Sequence, residues 1–140
     1  MMAKSVLLVV VLCVLAADVG GAGAGTQKWE FETGDSVLTS FSTADRITDF
    51  TTAIDKIDIG VTIGDLDLVY ATNTFADFSA AASASFDSGS EASIYGAITD
   101  FGFAMVAIDA DLSGDFGTGD ILLRLDNINT TSDLVVTDFI

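Results

Sequence analysis

F-A-M-V-A-I-D-A-D-L-S-G-D-F-G-T-G-D-I-L-L-R-L, residues 103–125, sets two apolar runs on either side of an acidic, glycine-bearing loop. Short apolar runs bounded by turn-forming residues read as strands. The stretch therefore predicts strands over Phe103–Ile108 and 121–125, joined as a hairpin rather than as a helix pair. Within the loop, Asp109, Asp111, Ser113 and Asp115 carry oxygens at alternate positions, Gly114 sits mid-loop, and Asp120 closes the segment. That is the ligand spacing of a calcium loop, because alternate residues in a tight turn aim their oxygens at one centre and a glycine permits the turn. Asp109, Asp111 and Ser113 are expected to offer side-chain oxygens, Asp115 its backbone carbonyl and Asp120 a carboxylate. Aspartate is one methylene shorter than the usual closing glutamate, which predicts a weak site suited to extracellular calcium. The competing reading is an Asp/Gly-rich hairpin turn that holds no ion.

Outward from this hairpin, apolar runs separated by Gly, Asp, Ser and Thr predict further short strands over 28–32, 46–50, 56–59, 66–70, 93–98 and 134–139. F-A-D-F-S-A-A-A-S-A-S, Phe75–Ser85, is alanine-rich and predicts a single helix, with Thr74 or Asn73 as its cap. The chain contains no proline, which suits regularly hydrogen-bonded strands. Trp29, Phe31 and most of the ten phenylalanines are expected in the core rather than on an aromatic binding surface. The expected class is mainly β, a short-stranded roll-like or sandwich-like cap with one short helix.

The charge balance narrows the partners. Among 140 residues, 21 are acidic and 5 basic, and there is no histidine, for a formal charge of -16. Such a chain repels nucleic acid and anionic membranes, and repels itself unless cations neutralise it. The acidic residues gather at turns, which favours calcium over a uniformly acidic surface. Asp45, Asp49, Asp55 and Asp58 form a second acidic set, whereas Asp35 and Asp87 read as turn residues. The only cysteine, Cys13, lies in the apolar N-terminal run. Disulfides, thiolate sites, histidine-ligated zinc and the Ser-His-Asp triad are thereby excluded. Paired carboxylates alone do not make a glycosidase, and no enzymatic activity is expected.

The first 24 residues combine Lys4, the apolar run S-V-L-L-V-V-V-L-C-V-L-A-A and small residues up to Ala22-Gly23-Ala24. This is the three-part pattern of a secretory signal, and the run is short for a membrane span of roughly 20 residues. The expected organisation is a signal peptide or hydrophobic leader over 1–24, forming a signal helix, and a calcium-binding β domain over 25–140. The mature chain would be extracellular, with no stable membrane span.

Two segments carry a resemblance. D-R-I-T-D-F-T-T-A-I-D-K-I-D-I-G, residues 45–60, is similar to a stretch in the C-terminal region of serralysin-type proteins. The strand, D-A-D-L-S-G turn, strand and final V-V-T-D-F-I resemble the end of the same region. The resemblance covers about residues 20–140. It implies the cap of an RTX calcium-binding β-roll, type I secretion, and some calcium ligands among Asp45, Asp49, Asp55 and Asp58. The family's glycine-rich nonapeptide occurs at most once, damaged, at Gly20-Gly21-Ala22-Gly23-Ala24, with Gly25 where a ligand aspartate belongs. The zinc protease domain is missing. A cleaved N-terminal signal and an uncleaved C-terminal one should not both operate, so either the leader is acquired or the chain is the tail of a larger protein. The expected role is a secreted, calcium-stabilised structural or secretion module, with secretion machinery or a cell-surface component as partner. The alternative is a surface-associated adhesive or matrix module that does not depend on calcium.

Overall fold

The computed structural model describes residues 27–33, 38–71 and 74–140. The leader, the damaged repeat and Asp35 lie outside the described residues. Seven strands and one α-helix follow in chain order: β1 (Lys28–Glu30), β2 (Asp45–Ile47), β3 (Lys56–Asp58), β4 (Ile63–Tyr70), α1 (Phe75–Ser85), β5 (Ala92–Ile98), β6 (Phe103–Ile108) and β7 (Ile121–Asp126).

Five strands form one mixed sheet in the order β2-β7-β6-β5-β4. The inner pairs β5–β6 and β6–β7 are antiparallel, and both outer pairs, β2–β7 and β4–β5, are parallel. Successive side chains of a strand point to opposite faces. Ile94, Ile98, Ala104, Val106, Ile108, Ile121, Leu123 and Leu125 therefore enter one core, together with Trp29, Phe31, Ile57 and Ile59. Their neighbours Tyr95, Ala97, Met105, Ala107 and Leu122 enter a second core under α1, around Phe78, Ala82 and Phe86. Burial on both faces is why β6 and most of β5 and β7 are apolar rather than alternating.

The smaller sheet pairs β1 with β3 in parallel, Trp29 opposite Ile57. Phe139 bridges to Ile57, and Ile140 exchanges backbone hydrogen bonds with Ile57 and Ile59. The domain thus stacks a small sheet, the five-stranded sheet and a helix. Among the described residues this is a mainly β arrangement without a β-roll of repeated parallel turns.

The helix occupies the expected residues, and its Thr74 hydroxyl accepts the Asp77 N–H as an N-cap does. Phe78 and Ala82, four apart on one helix face, are the residues it buries. The expected strand over 134–139 is a correction. Val136–Asp138 form a 3-10 turn, because the Asp138 carboxylate is drawn inward. It accepts the N–H groups of Val135 and Ala53 and the Thr52 hydroxyl. An alternating apolar pattern at the surface could not reveal that tie. The strand expected over 46–50 also shortens to Asp45–Ile47, and the chain then bends so that Phe50 turns into the core.

Candidate metal centre

Strands β6 and β7 are antiparallel with Ile108 paired to Ile121, so loop 109–120 closes a hairpin as its sequence predicted. The two carboxylates at its base, Asp109 and Asp120, are fully buried. A buried carboxylate requires hydrogen-bond donors, and here the loop's own backbone supplies them. Asp109 accepts the N–H groups of Ser113 at 3.0 Å and Gly114 at 3.0 Å through its two oxygens. Asp120 accepts those of Ala110 at 3.0 Å and Gly117 at 2.7 Å.

Asp111 reaches the same place from the exposed side. Ligand oxygens of Asp109, Asp111 and Asp120 all lie within 4.8 Å of one another. Gly119 makes this possible. Its φ is +119°, and a Cβ there would lie 2.5 Å from an Asp111 carboxylate oxygen. Only glycine has both the backbone freedom and the missing side chain that this approach requires.

Tertiary contacts seat the loop. The Phe116 N–H donates to the Ser83 hydroxyl of α1 at 2.9 Å. The Phe116 ring meets Phe78 and Phe86 edge-on, with centroids 6.1 and 6.2 Å away. Gly114, with φ of +81°, passes so close to the Ser88 backbone that a Cβ would be 2.7 Å from its nitrogen. None of Ser83, Ser88 or Phe116 stood out in the sequence. The signal available for Phe116 was a large apolar residue inside an otherwise polar loop, which the surface seldom retains without a pocket to fill.

The electrostatics follow from burial and like charge. Burial pushes the Asp120 carboxyl up to about 6, helped by the Asp111 and Asp109 charges and opposed by the Gly117 N–H. Burial also raises Asp109, against the N–H groups of Gly114 and Ser113. Among the described residues the four basic side chains are engaged elsewhere. Lys28 pairs with Asp58 and Glu30, Arg46 and Arg124 with Asp126, and Lys56 donates to the Thr137 carbonyl.

The remaining expected ligands are placed differently from one another. The Ser113 hydroxyl donates to the Asp115 carbonyl at 3.0 Å, so these two groups face each other. In the second acidic set, Asp55 is buried and accepts the N–H groups of Gln27 and Thr51. Asp49 accepts from the Gln27 side-chain amide. Asp58 pairs with Lys28 at 2.6 Å, and Asp45 lies in β2 beside β7. Among the described residues, the triplet at Asp109, Asp111 and Asp120 is the set of acidic side chains whose ligand atoms converge.

Fold and site together define a mainly β domain with an acidic hairpin loop whose three carboxylates converge. Compared with known proteins, the chain matches no family model, no curated protein and no solved structure.

Proposed function

We propose that this chain is an exported, calcium-stabilised β module whose hairpin loop holds one calcium ion through Asp109, Asp111 and Asp120. One observation carries the reading. Three carboxylate oxygens sit within 4.8 Å of one another, two on fully buried residues. Like charges so close repel strongly where the dielectric is low. A hard divalent cation reverses the sign of that interaction and prefers oxygen ligands. Water and loop carbonyls would complete its coordination, since calcium takes six to eight oxygens.

Calcium would act here by thermodynamic linkage. An ion that binds the folded chain and not the unfolded one stabilises it by about 2.7 kcal/mol at a hundredfold excess over Kd. The stabilised elements would be the β6–β7 hairpin and, through Phe116, the helix layer. Export is part of the proposal, resting on the leader over residues 1–24. The role of cap or secretion module rests on the serralysin-like segments at 45–60 and 103–140. A weak site at the expected millimolar extracellular calcium would leave the acidic chain loosened before export and tightened after it.

The test is thermal unfolding of the full chain, followed by circular dichroism in calcium and in EGTA, with magnesium as a control. Calcium should raise Tm by several degrees and magnesium by much less. Equal melting curves in calcium and EGTA would rule the proposal out.

A further inference from the structure

We infer that the chain carries a second, independent binding site, a cavity for one small uncharged apolar molecule between the N-terminal end of α1 and the β5–β6 turn. The cavity measures about 330 Å³, within the range of roughly 300–1,000 Å³ typical of small-molecule sites. Phe41, Phe78, Ala97 and Met105 line it, with Phe101 and Phe103 at one side. Ala97 and Met105 are cross-strand partners on the helix face of the sheet, so the floor is two adjacent strands. Phe41 meets both Phe75 and Phe78 edge-on at 5.4 Å between centroids, forming an aromatic wall opposite.

The chemistry of the lining selects the ligand. Among the described residues, Thr74 and Thr99 are its polar side chains, and both hydroxyls are already engaged. Thr99 donates to the Phe103 carbonyl and accepts the Phe101 N–H. Thr74 donates to Asp77 and accepts its N–H. A polar ligand group entering here would lose its water without finding a partner. A carboxylate would also meet a chain of net charge -16. The two arginines do not change this, because Arg46 and Arg124 are both paired with Asp126. A neutral hydrocarbon, aromatic or aliphatic, loses nothing on entry and gains the apolar contact.

The mouth supports the same assignment. Phe101 is 81% exposed, the most exposed large apolar side chain described. It stacks on Phe103 at 6.3 Å and 18° between ring planes. The Arg124 guanidinium lies 3.9 Å from the centroid of Phe103. Phe103 is thus held in place, and Phe101, stacked on it, forms an exposed aromatic ledge beside the opening.

The probe is N-phenyl-1-naphthylamine, an uncharged aromatic amine that fluoresces on leaving water. It is titrated into the full chain in millimolar calcium, with sedimentation velocity at the same concentrations. One saturable site per chain is expected, with Kd on the order of 100 µM, as an efficiency of about 0.3 kcal/mol per non-hydrogen atom implies for a ligand of this size. Ala97→Leu fills the floor and should weaken binding at least tenfold while leaving Tm unchanged or raised. Phe101→Ala, at an exposed position that folding does not need, should weaken it about threefold to tenfold. Absence of saturable binding to the folded chain overturns the inference, as does binding that Phe101→Ala and a folded Ala97→Leu both leave unchanged. A dimer that excludes the probe and dissociates in Phe101→Ala would assign the cavity to a second copy of the chain and also overturn it. None of these outcomes bears on calcium at the hairpin loop.

Discussion

The carboxylates of loop 109–120 and those of Asp58 and Asp126 come from similar sequence, aspartates set among apolar residues, yet they behave in opposite ways. Asp58 lies beside Lys28, whose hydrogen bond holds its carboxyl below the usual range. Asp126, between Arg46 and Arg124, is lowered in the same way, by Arg46 foremost. Asp109 and Asp120 are raised, because burial dominates and no described basic side chain reaches them. The difference teaches that spacing brings acidic groups together, whereas the neighbours decide whether they already have their counter-charge. Asp58 and Asp126 are electrostatically closed. Loop 109–120 is open to a cation.

The largest effect should come from beside the small sheet, away from the loop. Asp138 is fully buried and ties three donors from two segments. Asp138→Ala should lose about 3 kcal/mol, equally in calcium and in EGTA, as measured by urea unfolding. A calcium-dependent loss would break the distinction between the two regions.

Next comes Asp120→Asn. It keeps the shape, removes a buried charge, and should abolish the calcium-dependent gain of about 2–3 kcal/mol at saturating calcium. In EGTA the gain from removing the uncompensated charge is offset, because an amide can accept only one of the two N–H groups that Asp120 holds and orphans the other at a cost of about 1–3 kcal/mol. Isothermal titration calorimetry alongside urea unfolding separates the two effects.

The pH dependence sharpens the contrast further. A carboxyl with a folded pKa of about 6 keeps its proton between pH 4 and 6, where the unfolded chain has lost it. Its contribution is fully present below the ordinary value and is lost as pH rises through 6. In EGTA the parent should therefore lose stability across that window relative to Asp120→Asn. Asp58 and Asp126 have the opposite sign: their contribution is present above the ordinary value and lost as pH falls below it. Calcium must displace the Asp120 proton, so its affinity should weaken about tenfold per pH unit below 6.

The smallest effect is expected at Lys28→Met. Lys28 pairs at the surface, where such pairs contribute little. Tm should shift by no more than the measurement error, and the calcium response should be unchanged.

The hairpin, the loop spacing, helix α1 and its cap, narrowed to Thr74 or Asn73, were all legible in the sequence, because each rests on local periodicity or capping. The burial of Trp29 and Phe31 was legible as well, from residue type alone. Which loop oxygens converge was not. Spacing ranks Ser113 and Asp115 with the aspartates, yet the Ser113 hydroxyl turns to the Asp115 carbonyl. Nor could the sequence show that Phe116, Ser83 and Ser88 seat the loop, since these contacts join segments about thirty residues apart. The last residues read as a strand for the same reason: their apolar pattern is local, whereas the Asp138 tie to Thr52 and Ala53 is not.

By itself, then, the sequence determined a mainly β domain, strongly acidic, with a twelve-residue oxygen-rich hairpin and no thiol or imidazole chemistry beyond Cys13. These follow from composition and from periods of two and 3.6 residues. Only the tertiary structure decided that Asp109, Asp111 and Asp120 meet, that the described basic residues are engaged elsewhere, and that the helix and sheet leave an apolar cavity between them. Those outcomes depend on which distant segments share a core, and close packing sets that across the whole chain.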